Sequence, residues 1–355
     1  MVLSSFSYKT SGWELAEVKT LNLTNLLVGK NASGKTRTIR ALQNVTSFLQ
    51  QMKPAMMLQD NYFKTKLTLS KPGDKRSKMI YSFEISNKKV VNERLIVYGK
   101  VLVDRDSDKA LFNGTPINPP IDKLVVQVRR DRNEYPDVEA LMEWAEGVIA
   151  ISCSNINPYT ILNGPEGFIN PISFSDLVDS LTISEKKSVI KDAKNLGYNI
   201  LGMTAIKVSS DIKLVTIKEA YVRNEIFDIQ LSSGMMRVLY LLCFLKNMKH
   251  KKNYSMLLID DLGEGLDYSR AKLLGEKIFD TCENENLQMI ASSNDAFLMD
   301  VIDISKWQII RRKNTKLTIL NQTNTPILFN SFRMTGLSNF DLLSSDFIDN
   351  FCIAK

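Results

Sequence analysis

Eight consecutive residues carry the most specific chemistry in the chain. Gly29-Lys30-Asn31-Ala32-Ser33-Gly34-Lys35-Thr36 fits the spacing GxxxxGK[ST]. Glycines at these places admit backbone dihedrals that turn successive N–H groups onto phosphate oxygens. The lysine neutralises β- and γ-phosphates, and the threonine hydroxyl ligates Mg²⁺. The helix that follows aims its N-terminal dipole at the anion. All eight residues are therefore candidates for nucleotide binding, with Thr36 also a metal ligand. Such a loop does not choose between kinases, GTPases and ATPases.

Three further segments narrow the choice. Met256-Leu257-Leu258-Ile259-Asp260-Asp261 is a buried-strand pattern ending in two carboxylates. At the C-terminal end of a strand in an open parallel sheet they face the ligand crevice. Asp260 is placed to hold the Mg²⁺ water shell, and Asp261 to polarise an attacking water. Leu262-Gly263-Glu264-Gly265-Leu266 leads to a third carboxylate, Asp267. Leu287 to Ala291 reads as another short strand, and Asn294 in the turn after it can hydrogen-bond a γ-phosphate but cannot take up a proton. Ser232-Ser233-Gly234 precedes an apolar helix, Val238 to Leu245, and offers hydroxyls and N–H groups at a helix start. Read alone, that triplet is an ordinary N-cap.

Composition removes alternatives. The chain has 355 residues and a single histidine, His250, inside Lys249-His250-Lys251-Lys252. Histidine-based nucleases, Ser-His-Asp hydrolases and histidine-ligated zinc sites are therefore disfavoured. Net charge is +7, from 46 Lys+Arg against 39 Asp+Glu, compatible with a nucleic-acid surface but no evidence for one. The four cysteines form no CxxC pair and fit a reducing cytosol. Met1 to Lys9 has no apolar signal core, and no apolar run reaches membrane-spanning length. The expectation is a cytoplasmic protein without a membrane partner.

The elements that must position these residues follow from periodicity. Trp13 to Val28 reads as one or two strands and Thr36 to Met52 as a helix with Ile39, Leu42, Val45 and Leu49 on one face. Phe63 to Leu111 has period two, with strands that include Val90 to Val103. Val138 to Ala150 and Phe174 to Leu196 read as helices, separated by a Pro/Gly/Asn-rich loop from Asn155 to Pro171. Strands return at Ile212 to Ile217 and Ala220 to Phe227. Gly234 to Ile310 alternates helix and strand, and Leu317 to Lys355 reads as a strand-and-helix tail.

The order Gly29–Thr36, Leu231–Arg237, Asp260–Asp261, Leu266–Asp267 and Asn294 resembles the Walker A, signature, Walker B, D-loop and switch elements of ABC-type ATPases. Within that class the text is similar to the stand-alone ATPases of the OLD (overcoming lysogenization defect) and RecF/SMC-related group. The resemblance spans roughly Trp13 to Arg311. It implies an α/β fold, a P-loop NTPase of ABC-ATPase type with an antiparallel β lobe and a helical insert. The division expected is 1–134 for lobe I, 135–205 for the insert, 206–316 for lobe II and 317–355 for a tail. It also implies ATP and Mg²⁺ as ligands. Lys35 and Thr36 would bind phosphate and metal, Asp260 would hold Mg²⁺, and Asp261 would stand at the catalytic position usually filled by glutamate. Ser232, Ser233, Gly234 and Asp267 would act across a head-to-tail dimer, or a higher oligomer, that sandwiches ATP. Asn294 replaces the usual switch histidine, so hydrolysis is expected to be slow. Gln59 and Gln127 both remain open as the Q-loop glutamine.

For the biological role, the resemblance implies a nucleotide-gated regulator of a separate effector, such as a nuclease, in antiphage defence or a toxin-type system. The alternative is a RecF-like DNA-repair clamp, for which Arg129, Arg130, Arg132, Lys249 to Lys252 and Arg311 to Lys313 would supply the phosphate contacts. A transporter subunit fits the long antiparallel region poorly. Asp104-Arg105-Asp106-Ser107-Asp108 reads as a charged hairpin and not as a nuclease cluster.

Overall fold

The computed structural model describes residues 1–51, 61–71, 74–107, 109–156, 172–209, 212–250 and 253–353. Gln59, the Pro72-Gly73 turn, Asp108, most of the loop after Asn155, Lys251 and Lys252 lie outside them.

Strands Thr24–Val28, Met256–Asp260 and Gln288–Ser292 are buried at every position. Successive strand side chains point to opposite faces, so strands without polar alternation must be covered on both sides. The two cores divide accordingly. Leu26, Val28, Leu257, Ile259, Met289 and Ala291 join one hydrophobic cluster, with helices Ser233–Asn247 and Tyr268–Asn284. Leu27, Met256, Leu258 and Ile290 join the other, with helices Lys35–Leu49 and Pro136–Glu146.

Five strands pair in parallel in the order Val148–Ser152, Met256–Asp260, Gln288–Ser292, Thr24–Val28 and Trp307–Lys313. Ile259 lies opposite Ala291, and Ser292 opposite Leu27. The phosphate loop, the Asp260–Asp261 step and the Ser292–Asn294 turn therefore leave the sheet at one edge. From Trp307–Lys313 the sheet runs on through Lys316–Leu320, Glu14–Lys19, Val2–Thr10, Tyr62–Lys71, Asp74–Ser86, Lys89–Val97, Lys100–Asp106, Lys109–Phe112 and Thr115–Ile117, to fourteen strands. All of these added pairings are antiparallel except Lys316–Leu320 with Glu14–Lys19. Strands Ile200–Lys207, Lys213–Glu219 and Ile226–Phe227 make a separate sheet.

Several elements differ from the sequence reading. Val138 to Ala150 is not one helix. The helix ends at Glu146, and Val148–Ser152 is the outermost parallel strand. Gly147 makes the switch: a Cβ there would lie 2.3 Å from the Asn253 carbonyl oxygen and 2.7 Å from the Ser255 nitrogen. A short apolar run such as 148–151 carries no periodicity that separates helix from strand. The segment 135–205 thus contributes to the central sheet as well as carrying helices. Phe174 to Leu196 is likewise split, into Phe174–Ser180 and Ile183–Asn195. Thr182 and Glu185 form a reciprocal capping box at the break, the Thr-x-x-Glu pattern that starts a helix. Val90 to Val103 is two strands joined at Tyr98 and Gly99, both with positive φ. Ala220 to Phe227 is mostly turn, with only Ile226–Phe227 paired. Val2–Thr10 forms a further strand ahead of those expected from Trp13 onward. Lys316–Leu320 completes a hairpin with Trp307–Lys313, so the 316/317 boundary cuts through a paired unit.

Candidate active site

The phosphate loop joins strand Thr24–Val28 to helix Lys35–Leu49. Its glycines sit where a side chain has no room. A Cβ on Gly29 would lie 2.7 Å from the Ile310 carbonyl oxygen and 2.8 Å from Ser33 Oγ. Gly34 has φ of +107°, and its Cβ would meet Leu317 Cδ2 at 2.4 Å. Gly34 is also the N-cap of the helix and supplies no side-chain bond to it. The first-turn N–H groups therefore face the loop without a side-chain cap, which suits an anion. Ser33 Oγ is buried with no hydrogen-bond partner, a polar atom of the kind a phosphate oxygen would satisfy.

Lys35 is buried, and its Nζ donates to the carbonyl oxygens of Gly29 at 2.8 Å and Lys30 at 3.4 Å. Burial pulls its pKa down, while the nearby Asp261 and Asp260 carboxylates push it back up. Thr36 and Lys35 line a cleft of about 630 Å³ with Trp13, Arg37, Arg40 and Asn294. The Arg37 guanidinium lies 5.4 Å from the Trp13 ring centre. Nothing in the sequence reading singled out Trp13; a lone tryptophan beside a strand gives no motif.

Asp260 is 1% exposed, and its Oδ1 accepts a hydrogen bond from Ser292 Oγ at 2.6 Å. Asp261 has φ of +57°, a left-handed conformation uncommon outside glycine, asparagine and aspartate. Its N–H donates to the same Ser292 Oγ at 2.9 Å. Burial, then the Asp260 and Glu264 charges, raise the Asp261 carboxyl to about 6, against the pull of Lys35 and Arg40. Asn31, Asp261 and Asn294 line a second cleft of about 370 Å³, with Glu264 and Asp295. Asn294 borders both clefts.

The loop, Asp260, Asp261 and Asn294 thus converge. Ser232, Ser233, Gly234 and Asp267 line neither cleft. Ser232 caps its own helix, its Oγ accepting the Met235 N–H at 3.3 Å, and Ser233 is the first helical residue. Gly234 packs on the Gly265 carbonyl, which a Cβ would approach to 3.1 Å. Asp267 caps helix Tyr268–Asn284, accepts the Arg270 N–H at 3.1 Å and pairs with its guanidinium at 2.8 Å. Arg237 ties the two regions, donating to the Glu264 carbonyl at 2.7 Å and the Cys153 carbonyl at 2.9 Å.

Two other placements matter. Gln127 is buried and donates to the Phe48 carbonyl at 2.7 Å, and its Oε1 accepts the Leu124 N–H at 2.9 Å. It closes the far end of helix Lys35–Leu49, roughly 20 Å along the axis from Lys35, and so does not face the phosphate loop. The Lys30 side chain turns outward, to Asp349 at 3.1 Å, and Asp349 also pairs with Arg311 at 2.7 Å. Helix Phe347–Ile353 thereby rests against the outer face of the loop, across a cleft of about 560 Å³.

No protein-family model matches the chain, and no curated protein is similar to it in sequence. Its fold has counterparts among solved structures. An SMC head bound to the C-winged helix domain of ScpA superposes with a TM-score of 0.56 at 11% identity, covering 90% of this chain and 97% of that one. The Smc head domain with an extended coiled coil, bound to the C-terminal domain of ScpA derived from Pyrococcus furiosus, gives 0.51 at 10% identity, covering 94% and 99%. The class is therefore a mixed α/β fold, with a large mixed sheet, that resembles the ABC-type ATPase heads of SMC proteins. Among the described residues no helix is long and apolar enough to cross a membrane.

Proposed function

We propose that this chain is an ATP-gated switch that binds Mg²⁺–ATP, pairs with a second copy around it and hydrolyses it slowly. The observation that carries the reading is the convergence of Lys35, Asp260, Asp261 and Asn294 on one sheet edge beside a glycine cradle with an orphaned hydroxyl, Ser33 Oγ. Thr36 and Asp260 fit Mg²⁺ as a hydroxyl and a carboxylate; when bound, the ion offsets phosphate charge. Lys35 and the loop N–H groups hold the β- and γ-phosphates. The Asp261 carboxylate orients a water and takes its proton. Asn294 donates a hydrogen bond to the γ-phosphate but stores no proton. Aspartate is one methylene shorter than glutamate, and a base set too far back is inefficient. Both features favour a long-lived ATP state. Trp13 lines the same cleft as Thr36 and is an aromatic side chain there that the base would meet, beside Arg37.

Ser232, Ser233, Gly234 and Asp267 stand apart from both clefts, which supports their action on a nucleotide held by a second copy. The partner of such a switch is a separate effector protein, such as a nuclease in an antiphage or toxin-type system. The DNA-clamp reading is less favoured, because four of its described basic residues already have acidic partners. Arg130 pairs with Glu139 and Glu146, Arg132 with Glu143, Lys249 with Glu285 and Arg311 with Asp349.

The test is purified protein with ATP and Mg²⁺, beside the Lys35→Ala variant. Expected are a dimer by light scattering with ATP, none with the variant, and turnover below about 1 s⁻¹. Turnover of about 1–10³ s⁻¹ by the protein alone would overturn the switch. Failure to bind nucleotide would overturn the ATPase reading itself.

A further inference from the structure

Ser292 has no place in the motif-based account, yet it touches both acidic residues. It lies on strand Gln288–Ser292, beside Asp260 at the end of the neighbouring strand, and is fully buried. Its single hydroxyl does two jobs. The O–H donates to Asp260 Oδ1 at 2.6 Å, and the oxygen accepts the Asp261 N–H at 2.9 Å. The Ser292 carbonyl oxygen also accepts the Leu262 N–H at 2.8 Å. The turn after the acidic strand is therefore fastened to the next strand at two consecutive N–H groups, one of them through the side chain.

The fastening falls where the backbone most needs it. Asp261 occupies a left-handed conformation that costs a non-glycine residue about 1 kcal/mol or more and persists only when its surroundings hold it. A hydroxyl bonded to one carboxylate oxygen also sets the carboxylate's rotation, so the other oxygen is aimed by a group outside the metal site.

We propose that Ser292 is the positioning residue of this site: its hydroxyl orients the Asp260 carboxylate toward Mg²⁺ and holds the Asp261 backbone so that its carboxylate faces the γ-phosphate. The assignment rests on the ATPase reading above and adds a residue to it. It also predicts a contrast with Ser293, which is equally buried but whose Oγ bonds only backbone, donating to the Leu262 carbonyl at 2.7 Å and accepting the Asp295 N–H at 3.0 Å. Loss of the Ser293 hydroxyl disturbs the same turn and leaves both carboxylates untouched.

The experiment compares wild type, Ser292→Ala, Ser293→Ala and Ser292→Cys, the last near-isosteric with a weak S–H donor. Binding of a fluorescent ATP analogue is measured with Mg²⁺ and with EDTA, alongside kcat and thermal stability. Ser292→Ala is expected to lose about 10-fold or more of the Mg²⁺-dependent gain in affinity and about 10–100-fold in kcat, with EDTA affinity unchanged. Ser292→Cys should recover part of both, and Ser293→Ala should lower thermal stability without changing the Mg²⁺ gain. Equal loss of Mg²⁺ gain in Ser292→Ala and Ser293→Ala, or no loss in Ser292→Ala, overturns the proposal. Wild type that binds the analogue no better than Lys35→Ala overturns the ATPase reading as well, which separates the two failures.

Discussion

Replacing Asp261 with asparagine should stabilise the protein while stopping turnover. In the folded chain the Asp261 carboxyl is raised from 3.8 to about 6, first by burial and then by Asp260 and Glu264. The native state thus keeps this proton to higher pH than the unfolded chain does. Wild-type stability therefore falls as pH rises from about 4 to about 6 and levels off above that. The full difference is worth about 3 kcal/mol. Water reaches part of the side chain, and discounting for that leaves about 1–2 kcal/mol. Asparagine has no proton to lose and tolerates the left-handed backbone at +57° as aspartate does. With about 2.1 cal/mol/K of unfolding entropy per residue, the gain is about 1–3 °C in Tm. Thermal unfolding of both proteins across a pH series is the assay. The difference should be fully present near pH 8, about half near pH 5 and nearly gone near pH 4. A variant no more stable than wild type near pH 8, or a gain that does not change with pH, would refute the electrostatic account of the site.

Three further outcomes can be checked. Gln127→Ala leaves the buried Leu124 N–H without its acceptor and takes from the Phe48 carbonyl one of its donors, the Gln51 N–H remaining; it should cost about 1–3 kcal/mol in denaturant unfolding and leave the Mg²⁺ dependence of ATP binding unchanged. Asp349→Ala removes a negative charge beside the phosphate loop. It should change stability by no more than about 1 kcal/mol and tighten ATP binding a few-fold at low salt, an effect that titration calorimetry should find gone at about 1 M salt. Trp13→Ala should weaken ATP binding about 10-fold, within the ~1–3 kcal/mol of base stacking, and leave binding of inorganic triphosphate unaltered.

What the sequence made legible and what it hid divide along physical lines. The phosphate loop and the acidic strand end could be read because their chemistry depends on neighbours in the chain: a glycine at 29 or 34 is needed by the local turn. The strand Val148–Ser152 could not, because four apolar residues suit a buried helix and a buried strand alike, and only pairing with Met256–Asp260 decides it. Ser292 looked like part of a polar turn. Its role exists only through register with the next strand, which no spacing in the sequence encodes. Gln127 is a Q-loop candidate by residue type, but its partners at Phe48 and Leu49 come from helix packing. Thr182-x-x-Glu185 is a capping signature legible in the sequence, but it stands inside a run whose apolar spacing is continuous.

The parallel sheet also dictates when the site can come into being. Strand Thr24–Val28 lies between Gln288–Ser292 and Trp307–Lys313, partners some 260 residues or more further along the chain. Contacts of such separation form late, since the entropy of closing the intervening loop must be met first. During synthesis the phosphate-loop segment leaves the ribosome some 260 residues ahead of the strands that fill its flanks. Leu26, Leu27 and Val28 then lack both neighbouring strands over that interval, an apolar edge of the kind a chaperone covers. Nucleotide binding should consequently appear in one step, once Gln288–Ser292 and Trp307–Lys313 have emerged, and not build up with length.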